Sequence, residues 1–213
     1  MEEIEPGIGG PSGLERMVFF SDAVFAIVIT LLVLPITAEV ELDEAGGGLA
    51  HQVWALWPRI LSFLISFLVI GQFWIAHHRM FGLIRRIDRA MLGINLVGLL
   101  TITFLPLPTA ILGADTPPGD AFPAVFYAIS LSAASFMLAV TWLYALRAEL
   151  VDETLSPAAI RETTVRSLLT TSIFVVSIGV AFLDLWAAIA CWVLVVPVVR
   201  ALVLRPRPRQ PAS

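Results

Sequence analysis

A carboxylate inside an apolar helix can relay protons, pair with a cation or tie helices together, and Asp22 poses that choice. It follows Phe19, Phe20 and Ser21, and only Thr30 interrupts the apolar residues from Ala23 to Leu34. An ionised group at membrane depth is costly unless it is paired or wetted. Arg16 stands at the mouth of the same segment. His77 and His78 end the second apolar segment, and Asn95 lies about five residues into the third. Ser21, Asp22, His77 and Asn95 are thus predicted at one level, where they can form a hydrogen-bonded layer joining three helices. A proton or ion relay is the functional alternative. Two histidines and an aspartate are also zinc-ligand types. Neighbouring residues on one helix point about 100° apart, however, so His77 and His78 do not converge on one ion.

The apolar residues beyond Asp22 carry a second pattern. Ile27, Leu31 and Leu34 recur at i, i+4 and i+7 and form one stripe. Asp22 precedes Ile27 by five residues, about 140° around the helix. If the stripe looks across a central axis, Asp22 looks towards neighbouring helices of its own chain. Thr30 then sits about 60° from Ile27, at the border of the stripe. Bundle core and lipid contact remain the ordinary readings of such a stripe.

These residues need helices to position them. The 213-residue sequence is 58% hydrophobic and 14% charged, with a mean hydropathy of +0.90. Soluble domains carry about 25% charged residues, so there is too little polar surface here for one. A bilayer core of roughly 30 Å takes about 20 helical residues. Six segments satisfy that length, at about 16–36, 53–77, 90–112, 122–146, 165–183 and 185–204. The prediction is therefore an all-α, polytopic membrane protein with six transmembrane helices over 16–204. Only Asp184 separates the last two segments, which requires a very tight turn, and Pro197 can kink the sixth. Ser156 and Pro157 read as a helix start, with serine as the cap and proline in the first turn.

All 13 basic residues are arginine. Arg79, Arg85, Arg86 and Arg89 fall between segments two and three, and Arg147 and Arg161 between four and five. Arg205, Arg207 and Arg209 fall in the tail, 205–213. The opposite connections hold Glu39, Glu41, Asp43, Glu44, Asp115, Asp120 and Asp184. The positive-inside bias predicts a multi-pass protein of the cell membrane with both termini cytoplasmic. Residues 1–15 lack the basic start of a secretory signal and are predicted as a short mobile tail.

Other features are architectural. Ser130, Ser132, Ala133, Ala134 and Ser135 give the fourth segment a small-residue face suited to helix packing. The run Phe104-Leu105-Pro106-Leu107-Pro108-Thr109 loosens the third segment near its outer end. Ser62, Ser66, Gly71 and Gln72 mark close helix contacts or water in the second. The single cysteine, Cys191, has no partner for an intrachain disulfide. Walker, dinucleotide-binding, HExxH and GxSxG motifs are missing, as is a TVGYG potassium filter. Nothing suggests catalysis or nucleic-acid recognition.

The string from Arg16 through Phe20, Ser21 and Asp22 to Ile27, Thr30, Leu31 and Leu34 resembles the signature of a known family. Its members are the bacterial and archaeal relatives of the lysosomal potassium channel that has no P-loop filter. The stretch Phe73-Trp74-Ile75-Ala76-His77-His78-Arg79-Met80-Phe81 is similar to the family's second span. Asn95, followed by the Phe104 to Thr109 run, is similar to its third. The likeness is tight over the first three segments and general over the rest.

The resemblance implies a homotetramer whose pore is lined by the first helix of each subunit. Ile27 becomes the narrowest hydrophobic constriction, Leu31 and Leu34 further pore-facing rings, and Thr30 a polar position beside them. Arg16, Phe20, Ser21, Asp22, His77, His78 and Asn95 become the network that holds the pore helix. The implied function is passive, potassium-selective cation conduction, with K+ as a transient permeating ion. No cofactor, resident metal or chemical catalysis is implied. A proton-coupled transporter using Asp22 and the histidines, and a non-conducting membrane scaffold, are the alternatives.

Overall fold

The structure, a computed structural model, describes residues 11–37, 53–117 and 119–203, with side chains from 13 to 194 within those ranges. The helices are α1 (Pro11–Leu31), the single turn α2 (Leu34–Thr37), α3 (Trp57–Phe81) and α4 (Arg89–Phe104). They continue with α5 (Pro106–Leu112), α6 (Phe122–Arg147), α7 (Pro157–Leu183) and α8 (Leu185–Val203). The terminal tail 205–213, most of the 1–15 tail and the acidic stretch from Glu39 to Glu44 lie outside the described residues.

Sequence chemistry sets the helix ends. Pro106 lacks the N–H that would continue α4, so the third segment breaks at Leu105 and restarts as α5. Ser156 caps α7 by accepting a hydrogen bond from the Ala159 N–H, with Pro157 in the first turn. Asp88 caps α4, accepting from the Met91 N–H at 2.7 Å and from the Tyr144 hydroxyl at 2.6 Å. Asp184 is the one extended residue between α7 and α8, and its carboxylate accepts from the Ala187 N–H at 2.7 Å.

The number of crossings differs from the predicted six. Among the described residues, five helical segments are long and apolar enough to cross a membrane: Gly13–Thr37, Trp57–Phe81, Arg89–Leu112, Phe122–Arg147 and Pro157–Leu183. The predicted sixth forms α8, but its described apolar stretch is only Leu185–Leu194. Sequence reading erred here because an unbroken apolar run looks the same whether it meets lipid or protein. In α8 the run packs back on its neighbours. Trp192 is fully buried, donates to Ser177 Oγ at 2.9 Å and lies against Tyr127, with ring centroids 4.8 Å apart.

The core has two parts. The larger joins Phe25 and Val28 of α1, and Leu32 just beyond it, to α3, α4, α6, α7 and α8. The smaller joins Met17 to Met80, Phe81, Met91 and Trp142 near the loops. The small-residue face of α6 meets α7, where Ser135 and Thr171 hydroxyls pair at 3.0 Å. Trp142 donates to Thr164 Oγ1 at 2.9 Å.

Two loops are joined at one end of this bundle. The Arg85 N–H donates to Leu150 O, and the Asp152 N–H donates to Leu83 O, each at 2.9 Å. They flank an antiparallel bridge between Ile84 and Val151. Thr154 donates to Asp152 through its N–H and its hydroxyl, and Arg85 donates at 2.7 Å. These contacts hold the Asp152 carboxyl down to about 2, so the clasp stays charged until pH falls towards that value.

Gly113, just beyond α5, permits a close helix approach. A Cβ there would meet Ser62 Oγ at 2.5 Å and the Arg59 backbone at 2.8 Å. Gly113→Ala is expected to destabilise the bundle by about 1–3 kcal/mol. The check is its thermal unfolding midpoint in detergent, and an unchanged midpoint would show the contact to be compliant.

Candidate functional site

Three of the polar residues predicted at one level do meet. His77 Nε2 lies 3.0 Å from Asn95 Oδ1, and Asn95 Nδ2 donates to Ser21 Oγ at 3.0 Å. The Ser21 hydroxyl donates to Met17 O at 2.8 Å. With the Asn95 oxygen facing His77, the imidazole donates from Nε2, so the row runs from His77 through Asn95 to Ser21 and ends on the Met17 carbonyl of α1. The three side chains are buried and come from α1, α3 and α4. Inside a membrane these groups have no water to turn to, so one partner left alone is costly. The His77 ring packs on Phe81, with centroids 4.3 Å apart, and on Phe25 at 5.5 Å.

Asp22 is not part of that row. Its carboxylate accepts from the Trp74 indole N–H at 2.9 Å, across the α1–α3 contact. His78 is exposed and its ring lies 5.7 Å from that of Trp74. Trp74 is the partner that sequence reasoning missed. Tryptophans near span ends read as interface anchors, and the only available signal was its donor N–H at the level of an unpaired carboxylate. Arg16 and Phe20 are exposed on α1, away from the buried layer.

The layer fixes how α1 is turned. Ser21, Phe25, Val28 and Leu32 are buried and form one stripe. Ile27 and Leu31 of α1 fall about 110° away at 100° per residue, and Leu34 opens α2 beyond the turn at Leu32 and Val33. They are 57%, 41% and 54% exposed in the isolated chain. Thr30 is also exposed, and its hydroxyl donates to Ile27 O at 2.7 Å rather than projecting as a lone polar group. Phe20, seven residues before Ile27, shares this outer face and is 53% exposed.

A second polar row lies at the other end of the bundle. Ser66 Oγ is 2.9 Å from the Tyr127 hydroxyl and 2.8 Å from Thr109 Oγ1. It joins α3, α5 and α6. Its members are hydroxyls with no charge; sequence reading marked Ser66 for close helix contacts or water and did not single out Tyr127. No group of three or more His, Cys, Asp or Glu among the described residues is placed to hold a metal.

Five apolar crossings among the described residues, tied by buried polar rows, define a multi-pass α-helical membrane protein. Residues 16–106 match the family described as Endosomal/lysosomal potassium channel TMEM175. A potassium channel of Streptomyces collinus is 34% identical over 79% of this chain and 82% of its own length. One of Chamaesiphon minutus is 33% identical over 85% and 91%. The crystal structure of the lysosomal potassium-selective channel TMEM175 homolog from Chamaesiphon minutus superposes with a TM-score of 0.74 and 28% identity. That match covers 90% of this chain and 98% of the other. The human relative, called an endosomal/lysosomal proton channel, is 34% identical over 43% of this chain and 18% of its own length. The chain belongs to the TMEM175 potassium-channel family and is related to its bacterial members. That is a family of ion channels, not of enzymes.

Proposed function

We propose that the protein is a homotetrameric channel that passes potassium down its electrochemical gradient, with α1 of each subunit lining the pore. The observation that carries this reading is the orientation of α1. One stripe is sealed into the subunit by Ser21, Phe25, Val28 and Leu32, while Ile27, Leu31 and Leu34 are left uncovered by their own chain. Four such faces around an axis make a hydrophobic constriction at Ile27, with further rings at Leu31 and Leu34. The bacterial relatives named potassium channels support the ion assignment.

An apolar ring offers a cation no dipoles, so a tight ring dewets and blocks. Conduction therefore needs α1 to move outward until the ion keeps part of its water. Selectivity is modest and follows from the cost of removing that water, with Thr30 beside the ring. Ser21, Asp22, His77 and Asn95 act as the holder of the pore helix rather than as ion ligands.

The arginines of the two clasped loops support a cytoplasmic position for that end of the bundle and for the start of α1. The test is potassium efflux from proteoliposomes driven by a gradient alone, monitored by a voltage-sensitive dye. Silent vesicles containing folded tetramers would sink the channel reading. The animal relatives named proton channels favour proton passage as the second reading. A pH-sensitive dye in potassium-free vesicles separates the two.

A further inference from the structure

A cleft of about 950 Å³, its open side included, lies between α3, α6 and α7. Its inner wall is mostly apolar, with Val69, Phe73, Leu138 and Phe174 along it. Arg79 and Arg166 line the same cleft towards the clasped loops. From Val69 to Arg79 on α3 is about 15 Å of helix rise, close to half the thickness of a bilayer core. The cleft thus has the depth of one leaflet and runs from an apolar floor to a cationic rim.

The rim is incompletely satisfied. One terminal nitrogen of Arg166 donates to Glu162 at 2.8 Å, yet its Nε is buried and has no hydrogen-bond partner. Arg79 is exposed and forms no ion pair with a described residue. Two guanidinium groups against one carboxylate leave the rim positive. A planar guanidinium whose N–H groups are not all paired favours a phosphate oxygen, which it can grip at two points.

We propose that this cleft binds an anionic phospholipid of the leaflet on the loop side. One acyl chain lies against Phe73, Leu138 and Phe174, and the phosphate is held by Arg79 and Arg166. Charge complementarity selects the occupant, since a neighbouring subunit's apolar side chain fills the floor but leaves the rim of Arg79 and Arg166 with one carboxylate for two guanidiniums. The site is separate from the Ile27 face and does not depend on what the pore conducts.

The test is native mass spectrometry of the detergent-purified oligomer after titration with phosphatidylglycerol or phosphatidylcholine of matched chains. Phosphatidylglycerol is expected to be retained in preference. That preference should fall about fivefold in Arg79→Gln and about thirtyfold when Arg166→Gln is added. Thr170→Trp, which fills the cleft and leaves both arginines in place, should displace the lipid as well. Equal retention of the two lipids by the unaltered protein overturns the proposal. So does a preference that survives Arg79→Gln or Thr170→Trp. Arg79 is exposed, so its replacement tests the rim even if the Arg166 variant does not fold.

Discussion

Replacing Ile27 by asparagine is expected to raise cation flux about tenfold and to blunt the preference for potassium over sodium. The barrier at an apolar ring is the work of drying the ion. Four side-chain amides at that ring supply dipoles and keep water in place, and a fall of about 1.4 kcal/mol in the barrier gives a tenfold gain in rate. Ile27 is exposed on its own subunit, so the change leaves the core of the monomer intact. Single-channel or vesicle flux recordings with potassium and sodium on opposite sides measure both effects. Unaltered flux and selectivity in a well-folded oligomer would falsify the placement of Ile27 at the narrowest point.

Asn95→Leu is expected to cost about 2–5 kcal/mol of stability, because it strands the buried His77 N–H and removes two hydrogen bonds. The readout is the unfolding midpoint in detergent. Adding His77→Phe should recover much of the loss, since replacing both partners leaves no orphaned donor. Asp22→Asn should cost less than about 1 kcal/mol, because the amide oxygen still accepts from Trp74 at a partly exposed site. If Asp22→Asn proves as damaging as Asn95→Leu, the buried row is not what sets the rotation of α1.

Much of this site could be read from the residues. Depth along each apolar segment put Ser21, His77 and Asn95 at one level, and the structure joins them. The same arithmetic grouped Asp22 and His78 with them but carried no angle between helices. Asp22 lies about 100° from Ser21 on α1 and turns to Trp74 instead. The Ser156 cap and the break at Pro106 were legible because both follow from local backbone chemistry. The status of α8 was not, because hydropathy records greasiness and not the identity of the neighbour. Trp192 is buried on Tyr127 and Ser177, a contact no composition window contains.

The bridge between Ile84 and Val151 has a mechanical consequence. It staples the α3–α4 hairpin to the α6–α7 hairpin through main-chain bonds, so those four helices share one stiff end. Among the described residues, α1 has no such main-chain stitching to the other helices, and its hydrogen bonds to them run through side chains. The bundle therefore divides into a stator and a rotor. A stimulus that swings α1 has to slip these two side-chain hydrogen bonds and the packing of Phe25 and Val28, while the frame around it keeps its main-chain clasp.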